Sequence, residues 1–272
     1  MADKTKAISE RQVALLSSRA KALNGLTTLE YSRKRAFAMC YWVLRWGVST
    51  PGLLDKVSGA TRLGVCQKLV DKGLLKKTKT ASGGYVKGTA RFIITLTKQG
   101  LEFLQQGDLD ETIDYKLVDP NTIRQDKLRH DLIAQDFTFL NLQDGNIVSY
   151  FPEFNNKELH QPNQKVVDCT WIQADGTRIA LEVELSPKFS RILDQFIYCS
   201  CLAMIDKKVD RFLLLTDKQS IVDRYTQAMY AKSVPVWFKN KQGRWTKKDE
   251  PFLIPAFIKT EERFICVFNP KL

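Results

Sequence analysis

The segment KVVDCTWIQADGTRIALEVELSPK, Lys165–Lys188, decides the fold of the second half of the chain. Two stretches rich in β-branched residues flank a turn at 174–176, a pattern that predicts a β-hairpin. Because alternate residues of a strand share a face, Glu182 and Glu184 are expected on one side of the returning strand. Their apolar neighbours are expected to point the other way, into a core.

The predicted hairpin carries three carboxylates on one face: Asp168 on the first strand, and Glu182 and Glu184 on the second. Three acids repel one another, and folding alone gives no reason to gather them. A bound Mg²⁺ or Mn²⁺ does, because such hard cations take carboxylate oxygens and keep water and substrate phosphate as further ligands. The alternative is a solvated strand face balanced by Arg178 and Lys165.

The residues after the hairpin predict an α/β domain. A helix is expected over 188–204, then a strand at 211–217, a helix at 221–232 and a strand at 234–240, an arrangement of mixed strands flanked by helices. Lys188, Ser186 and Arg191 lie at the start of the first of these helices and are candidate phosphate contacts. The alternative for them is an ordinary basic first turn.

Aromatic and basic residues alternate near the end of this domain. Trp237, Phe238 and Trp245 lie among lysines and arginines, a composition that suits stacking on single-stranded bases. The alternative is an exposed β-turn whose tryptophans are partly buried.

The first part of the chain predicts three short helices, a hairpin and a further helix. Apolar residues at helical spacing end at Gly47, Thr50-Pro51 opens a second helix, and a third is expected over Ala60–Lys72 with Leu63 on its inner face. Alternating segments joined by ASGG then predict a hairpin, and LTKQGLEFL returns to a helix. This order is typical of a winged helix-turn-helix, so we expect an N-terminal arm over 1–30, a winged helix over 31–106, a linker over 107–121 and the α/β domain over 122–272.

Charge supports a polyanion as the partner of the winged helix. The net charge is +12; residues 1–104 contain 19 Lys and Arg against 6 Asp and Glu, whereas the rest contains 23 against 24. Phosphate neutralisation releases counterions and favours DNA binding; protein contacts are the alternative use of such a domain. The residues expected to contact DNA are Arg33, Lys34, Arg35, Thr61, Arg62, Gln67, Lys68, Lys76, Lys77, Lys79, Lys87 and Arg91.

Composition argues against several other classes of protein. The apolar run over 36–44 is much shorter than the ~20 residues of a membrane span. The N-terminus lacks the apolar region of a secretory signal. Six cysteines without a CxxC pair, together with two histidines, make a zinc finger unexpected. We therefore expect a cytoplasmic protein with reduced thiols and no membrane span.

Asp168, followed by Glu182-Val183-Glu184, resembles the PD-(D/E)xK signature of restriction-endonuclease-like folds, in its ExE variant. With the upstream winged helix, the RHDL segment at 129–132 and the EVELSPK segment, the chain is similar to the replication-relaxation family and to MOBC-type plasmid mobilisation relaxases. The resemblance covers residues 30–240 and implies Asp168, Glu182 and Glu184 as metal ligands. It also implies Lys188 in the role of the displaced lysine, and His130 as a site residue of unassigned role.

This resemblance implies a metal-dependent relaxase that nicks DNA at an origin of transfer. The implied partners are double-stranded DNA, single-stranded DNA, other mobilisation proteins and a second copy of the chain. The attacking group is left open between water and a tyrosine, with Tyr31, Tyr41, Tyr150 and Tyr198 available. Two alternatives remain: an inactive DNA-binding regulator whose nuclease-like domain dimerises, and a restriction or defence nuclease that cuts both strands.

Overall fold

The computed structural model describes residues 26–60, 63–85, 88–107, 109, 117–153, 166–240 and 242–272. It is a mixed α+β fold, as expected, and it divides into two compact units, Met1–Asn155 and Asn156–Leu272. The expected N-terminal arm up to residue 25 and most of the expected linker lie outside the described residues. In the described ranges, no helix is long and apolar enough to cross a membrane.

The first unit begins with helix α1, Thr28–Trp46. A capping box between Thr27 and Glu30 starts the helix, and Gly47 (φ +76°) ends it as predicted. The C-terminal half of α1 is buried on every side, and even Arg45 has no exposed surface. This helix is the centre of the first unit.

Helices α2, Pro51–Val57, and α3, Val65–Asp71, are joined by a turn that a buried carboxylate holds. The two oxygens of Asp55 accept hydrogen bonds from the backbone N–H groups of Gly64 and Cys66, each at 2.7 Å. The predicted start of the third helix at Ala60 is wrong, because Gly64 (φ +98°) delays the start of the helix to Val65. Leu63 is consequently 84% exposed and does not lie on an inner face.

Strands β1, Leu75–Lys79, and β2, Phe92–Leu96, form the expected antiparallel hairpin, and helix α4, Lys98–Gln105, follows. Thr97 caps α4 by accepting from the Gly100 N–H at 2.9 Å, and its hydroxyl donates to the Gly73 carbonyl at 2.6 Å. A Cβ at Gly100 would lie 2.1 Å from the Leu74 carbonyl oxygen. The LTKQG sequence therefore packs α4 tightly onto the start of the hairpin.

Helix α5, Gln125–Gln143, and strand β3, Ser149–Pro152, belong to the first unit and follow a short 3-10 helix, Pro120–Thr122. The Gln135 side chain joins α5 to α1, because its carbonyl accepts from Trp42 Nε1 at 3.0 Å and its amide donates to the Val48 carbonyl at 2.9 Å. The division between the units thus differs from the expected boundary near residue 122.

The second unit contains a mixed sheet covered by two helices. The elements of this unit are β4 Cys169–Ile172, β5 Arg178–Val183, helix α6 Ser190–Ile205, β6 Arg211–Thr216, helix α7 Gln219–Met229 and β11 Phe264–Phe268. These strands lie in the order β11-β6-β5-β4; β5 pairs parallel with β6 and antiparallel with β4, and β6 pairs parallel with β11. Apolar residues of α6, α7 and the strands form one core.

Two short antiparallel pairs complete the second unit. The strands are β7 Ser233–Val234, β8 Trp237–Lys239, β9 Trp245–Lys247 and β10 Phe252–Leu253, and a 3-10 helix, Ala256–Ile258, follows them. β7 pairs with β10, and β8 pairs with β9. All six cysteines are free thiols.

Candidate active site

The candidate site lies at the carboxyl ends of the parallel strands β5 and β6. Beyond the last residue of β5, the Glu184 N–H donates to the Leu215 carbonyl at 2.9 Å. Lys218, which follows β6, donates from Nζ to the Leu185 carbonyl at 2.9 Å. The carboxyl edge of parallel strands is where open α/β sheets usually bind ligands.

Asp168 directly precedes β4, one residue before the strand on which it was expected. Its Oδ2 accepts a hydrogen bond from the Val183 N–H at 2.7 Å. This bond holds the carboxylate beside the backbone of β5, between Glu182 and Glu184. The turn that returns the chain is the expected one, with Gly176 at φ +86° and the Thr177 N–H bonded to Asp175.

Glu182 and Glu184 are both buried, with 6% and 8% of their surface exposed. Their burial contradicts the alternative of a solvated strand face. Arg178 does not balance them, because its backbone N–H and its Nε both approach Asp210 Oδ2, at 2.8 and 3.7 Å; Lys165 lies outside the described residues. The intervening Val183 is also buried, so both faces of this strand end are covered.

Glu184 lies between a lysine and a tyrosine. Lys188 Nζ contacts Glu184 Oε2 and lies 5.4 Å from the centre of the Phe196 ring. Tyr225 on α7 donates its hydroxyl to the same Glu184 oxygen at 2.7 Å. The expectation that Lys188 reaches the strand end is therefore met, because its ammonium group lies against Glu184.

Tyr225 is a site residue that the sequence analysis missed. It has no exposed surface, and its ring packs edge-on against Phe196 with 5.1 Å between centroids. Burial raises the pKa of its hydroxyl, and the negative charge of Glu182 raises it further. A signal was present in the sequence: Ile221, Tyr225 and Met229 recur at helical spacing, and a tyrosine on a core face needs a partner for its hydroxyl.

The donor atoms of the site fit a hard divalent cation, but a complete ligand cage is not assembled. Among the residues that the structure describes, no group of three or more His, Cys, Asp and Glu side chains is arranged to hold a metal ion. One or two carboxylates are enough for Mg²⁺, which retains waters and binds substrate phosphate. Asp168 and Glu182 offer carboxylate oxygens for that role, and Glu184 contacts Lys188 and Tyr225. The predicted three-ligand set stays a prediction.

The expected phosphate contacts near α6 differ in their exposure and in their position relative to the helix. The helix begins at Ser190 and not at Lys188, so Ser186 and Lys188 both precede it. Ser186 is exposed, whereas Arg191 is half-buried with its guanidinium carbon 4.7 Å from the centre of the Trp245 ring. Arg191 thus lies over an aromatic ring at the first turn of the helix.

In the first unit, most of the expected DNA-contacting residues that the structure describes are exposed: Arg33, Lys34, Gln67, Lys68, Lys76, Lys77, Lys79 and Arg91. Gln67 receives a hydrogen bond from Lys77 at 2.9 Å and donates to Asp71 at 2.9 Å, which ties α3 to β1. Arg35 is half-buried and donates to the Ser58 hydroxyl at 3.2 Å. Thr61, Arg62 and Lys87 lie outside the described residues.

His130 lies on α5 in the first unit. Its Nδ1 is 3.1 Å from Asp131 Oδ1, and the ring is partly exposed. This contact places a neighbouring carboxylate beside the histidine and leaves its role unassigned.

Searches of protein-family models, curated proteins and solved structures find no match to this chain.

Proposed function

We propose that the chain is a DNA-binding relaxase that nicks one strand at an origin-like site of a plasmid or mobile element, with Mg²⁺ or Mn²⁺ as its cofactor. One observation carries the proposal. Glu184 occupies the strand position at which the PD-(D/E)xK signature has its lysine, and the Glu184 carboxylate contacts the Lys188 ammonium group. A lysine ammonium group thereby lies against the side chain at that position, two residues along the chain from Glu182.

Each residue of the site has a separate role in this proposal. Asp168 and Glu182 would hold the divalent cation, which would polarise a phosphoryl oxygen of the DNA and activate a bound water. Lys188 orients the attacking water by hydrogen bonding. Glu184 and Tyr225 are positioning residues that fix the Lys188 ammonium group. Tyr225 itself is not the attacking group, because it is fully buried and its pKa is raised.

The first unit acts as a winged helix that places the duplex. Its helix α3 enters the major groove through the N-terminal half, and β1 and β2 form the wing that lies along the backbone. Exposed Lys76, Lys77, Lys79 and Arg91 contact phosphates, which position the protein without reading sequence. The concentration of positive charge in residues 1–104 supports this assignment.

The test is a nicking assay on supercoiled plasmid that carries the DNA flanking the gene, with Mg²⁺ or Mn²⁺. We expect the wild type to produce open circles. Glu182→Gln and Lys188→Met should lower the nicking rate by about 100-fold or more, as expected for lost metal binding and for lost orientation of the attacking water. Lys208→Met, an exposed lysine beyond the other end of α6, is the matched control and should nick normally. Absence of nicking with both metals would overturn the proposal.

A second candidate function is a DNA-binding regulator with an inactive nuclease-like unit. It is favoured by the glutamate, Glu184, that stands where the PD-(D/E)xK signature has its lysine. The regulator predicts specific duplex binding without nicking. Linear product without origin dependence would instead indicate a restriction or defence nuclease, and protein retained on the DNA after phenol extraction would identify a tyrosine nucleophile.

A further inference from the structure

The β8–β9 hairpin of the second unit is strongly basic. Lys239, Arg244, Lys247 and Lys248 are all exposed, and the sequence over 236–248 contains no Asp or Glu. No step of the proposed cleavage uses these charges. Like charges on a short ribbon repel one another, so their concentration favours a polyanionic partner.

Register places the tryptophans and two lysines of this hairpin on one face. Trp237 pairs with Lys247, and Lys239 pairs with Trp245, so these four side chains share a side of the ribbon. Lys239 Nζ lies 5.4 Å from the centre of the Trp245 ring. We call these four residues the Trp-Lys face.

The Trp-Lys face packs against the first turn of α6. Trp237 Nε1 donates to Asp194 Oδ2 at 2.9 Å, and the Arg191 guanidinium lies 4.7 Å from the centre of the Trp245 ring. Trp237 lies on β8 and Trp245 on β9, so both strands of the hairpin contact the start of α6. The Asp194 carboxylate accepts the hydrogen bond of Trp237, and the Arg191 guanidinium adds a positive charge beside the face.

This first turn is close to the candidate active site. Arg191 follows Lys188 by three residues, and three residues span at most about 11 Å. The Lys188 ammonium group that contacts Glu184 and the Arg191 guanidinium beside the Trp245 ring therefore lie three residues apart on one chain segment.

We propose that the Trp-Lys face and Arg191 bind the phosphates of a single DNA strand beside the candidate active site. This inference rests on the proposed function, because a DNA-nicking protein would present a single DNA strand at this place. Surfaces that bind single strands combine aromatic rings with basic side chains, and here cations lie over the Trp245 ring beside exposed lysines. At this position the face holds the strand next to the nick.

The test is fluorescence anisotropy of labelled dT20 with the full-length chain. The double variant Lys239→Ala/Lys247→Ala removes two cations from the face. The matched control is Lys208→Ala/Lys271→Ala, which removes two exposed lysines elsewhere in the second unit. At 0.1 M salt each lost phosphate contact on a single strand weakens binding about fivefold, so we expect roughly 25-fold weaker dT20 binding for the face variant only. All four lysines are exposed, so both variants should fold, which urea unfolding checks.

A short duplex is titrated in parallel and should bind the face variant and the wild type equally. Equal dT20 affinity of the face and control variants would overturn the inference, as would an equal loss of duplex and dT20 affinity. The outcomes also separate the two proposals. Selective loss of dT20 binding in a protein that never nicks would retain this inference and overturn the proposed function. Nicking by the wild type together with unchanged dT20 binding by the face variant would retain the proposed function and overturn this inference.

Discussion

Replacement of Tyr225 by phenylalanine removes the hydroxyl that donates to Glu184 at 2.7 Å and leaves the ring in place. The ring keeps its edge-on packing against Phe196, so no large cavity forms. The substitution therefore isolates one buried hydrogen bond to a carboxylate, in a side chain with no exposed surface.

A hydrogen bond to a charged group contributes about 1.5–3 kcal/mol. Lys188 still contacts the same Glu184 oxygen in the variant, so the loss should lie at the lower end. We expect the free energy of unfolding to fall by about 1.5 kcal/mol. Nicking should persist at a reduced rate, because the hydroxyl helps to position Glu184 and Lys188 and is not the attacking group.

Urea unfolding followed by circular dichroism measures this change. Tyr198→Phe is the matched control, because that ring is half-buried against Phe252 and its hydroxyl has no hydrogen bond to a carboxylate among the described residues. Its effect should stay within about 0.5 kcal/mol. Equal stability of the two variants would refute the anchoring role. Complete loss of nicking in a folded Tyr225→Phe protein would refute its exclusion as the nucleophile.

Three further changes test other parts of the structure. Lys76→Ala should weaken duplex binding equally for all sequences and reduce the salt slope by about 0.9, whereas a sequence-selective effect would contradict a phosphate contact. Gly100→Ala should lower the unfolding free energy by about 1–3 kcal/mol, because its Cβ would meet the Leu74 carbonyl; Gly52→Ala, with open space at its Cβ, is the control and should not destabilise. Burial raises the pKa of Cys201 to about 12, so its contribution to stability is present below pH 9 and is lost as pH rises toward 12. Urea unfolding of Cys201→Ala should then show a shallower loss of stability between pH 8 and 10.5 than the wild type, and an equal slope would contradict this.

Local signals in the sequence predicted much of the fold. The Ala174-Asp175-Gly176 turn and the alternation around it gave the β4–β5 hairpin, and Thr50-Pro51 gave the start of α2. The start of α3 was missed because Ala60 continues a plausible helical pattern, whereas the hydrogen bonds that Asp55 accepts from the Gly64 and Cys66 N–H groups place the helix start at Val65. Asp55 lies 9 and 11 residues before its two partners, and the spacing of apolar residues carries no information about such hydrogen bonds.

The candidate site was predicted in its residue types but not in its partners. The hairpin pattern singled out Asp168, Glu182 and Glu184, and the resemblance to PD-(D/E)xK folds implied Lys188. The burial of the two glutamates and the hydroxyl of Tyr225 depend on packing of α7 against the sheet, 41 residues after Glu184. Packing between residues that are far apart in the sequence leaves little trace in the local pattern, which is why the sequence did not predict these contacts.

The central claim is that Asp168 and Glu182 together hold a divalent cation. Electron paramagnetic resonance of free Mn²⁺, titrated into wild type, Asp168→Asn and Glu182→Gln, measures it directly. The account predicts one bound Mn²⁺ per wild-type chain and none in either variant. Identical free-Mn²⁺ signals for all three proteins would contradict it.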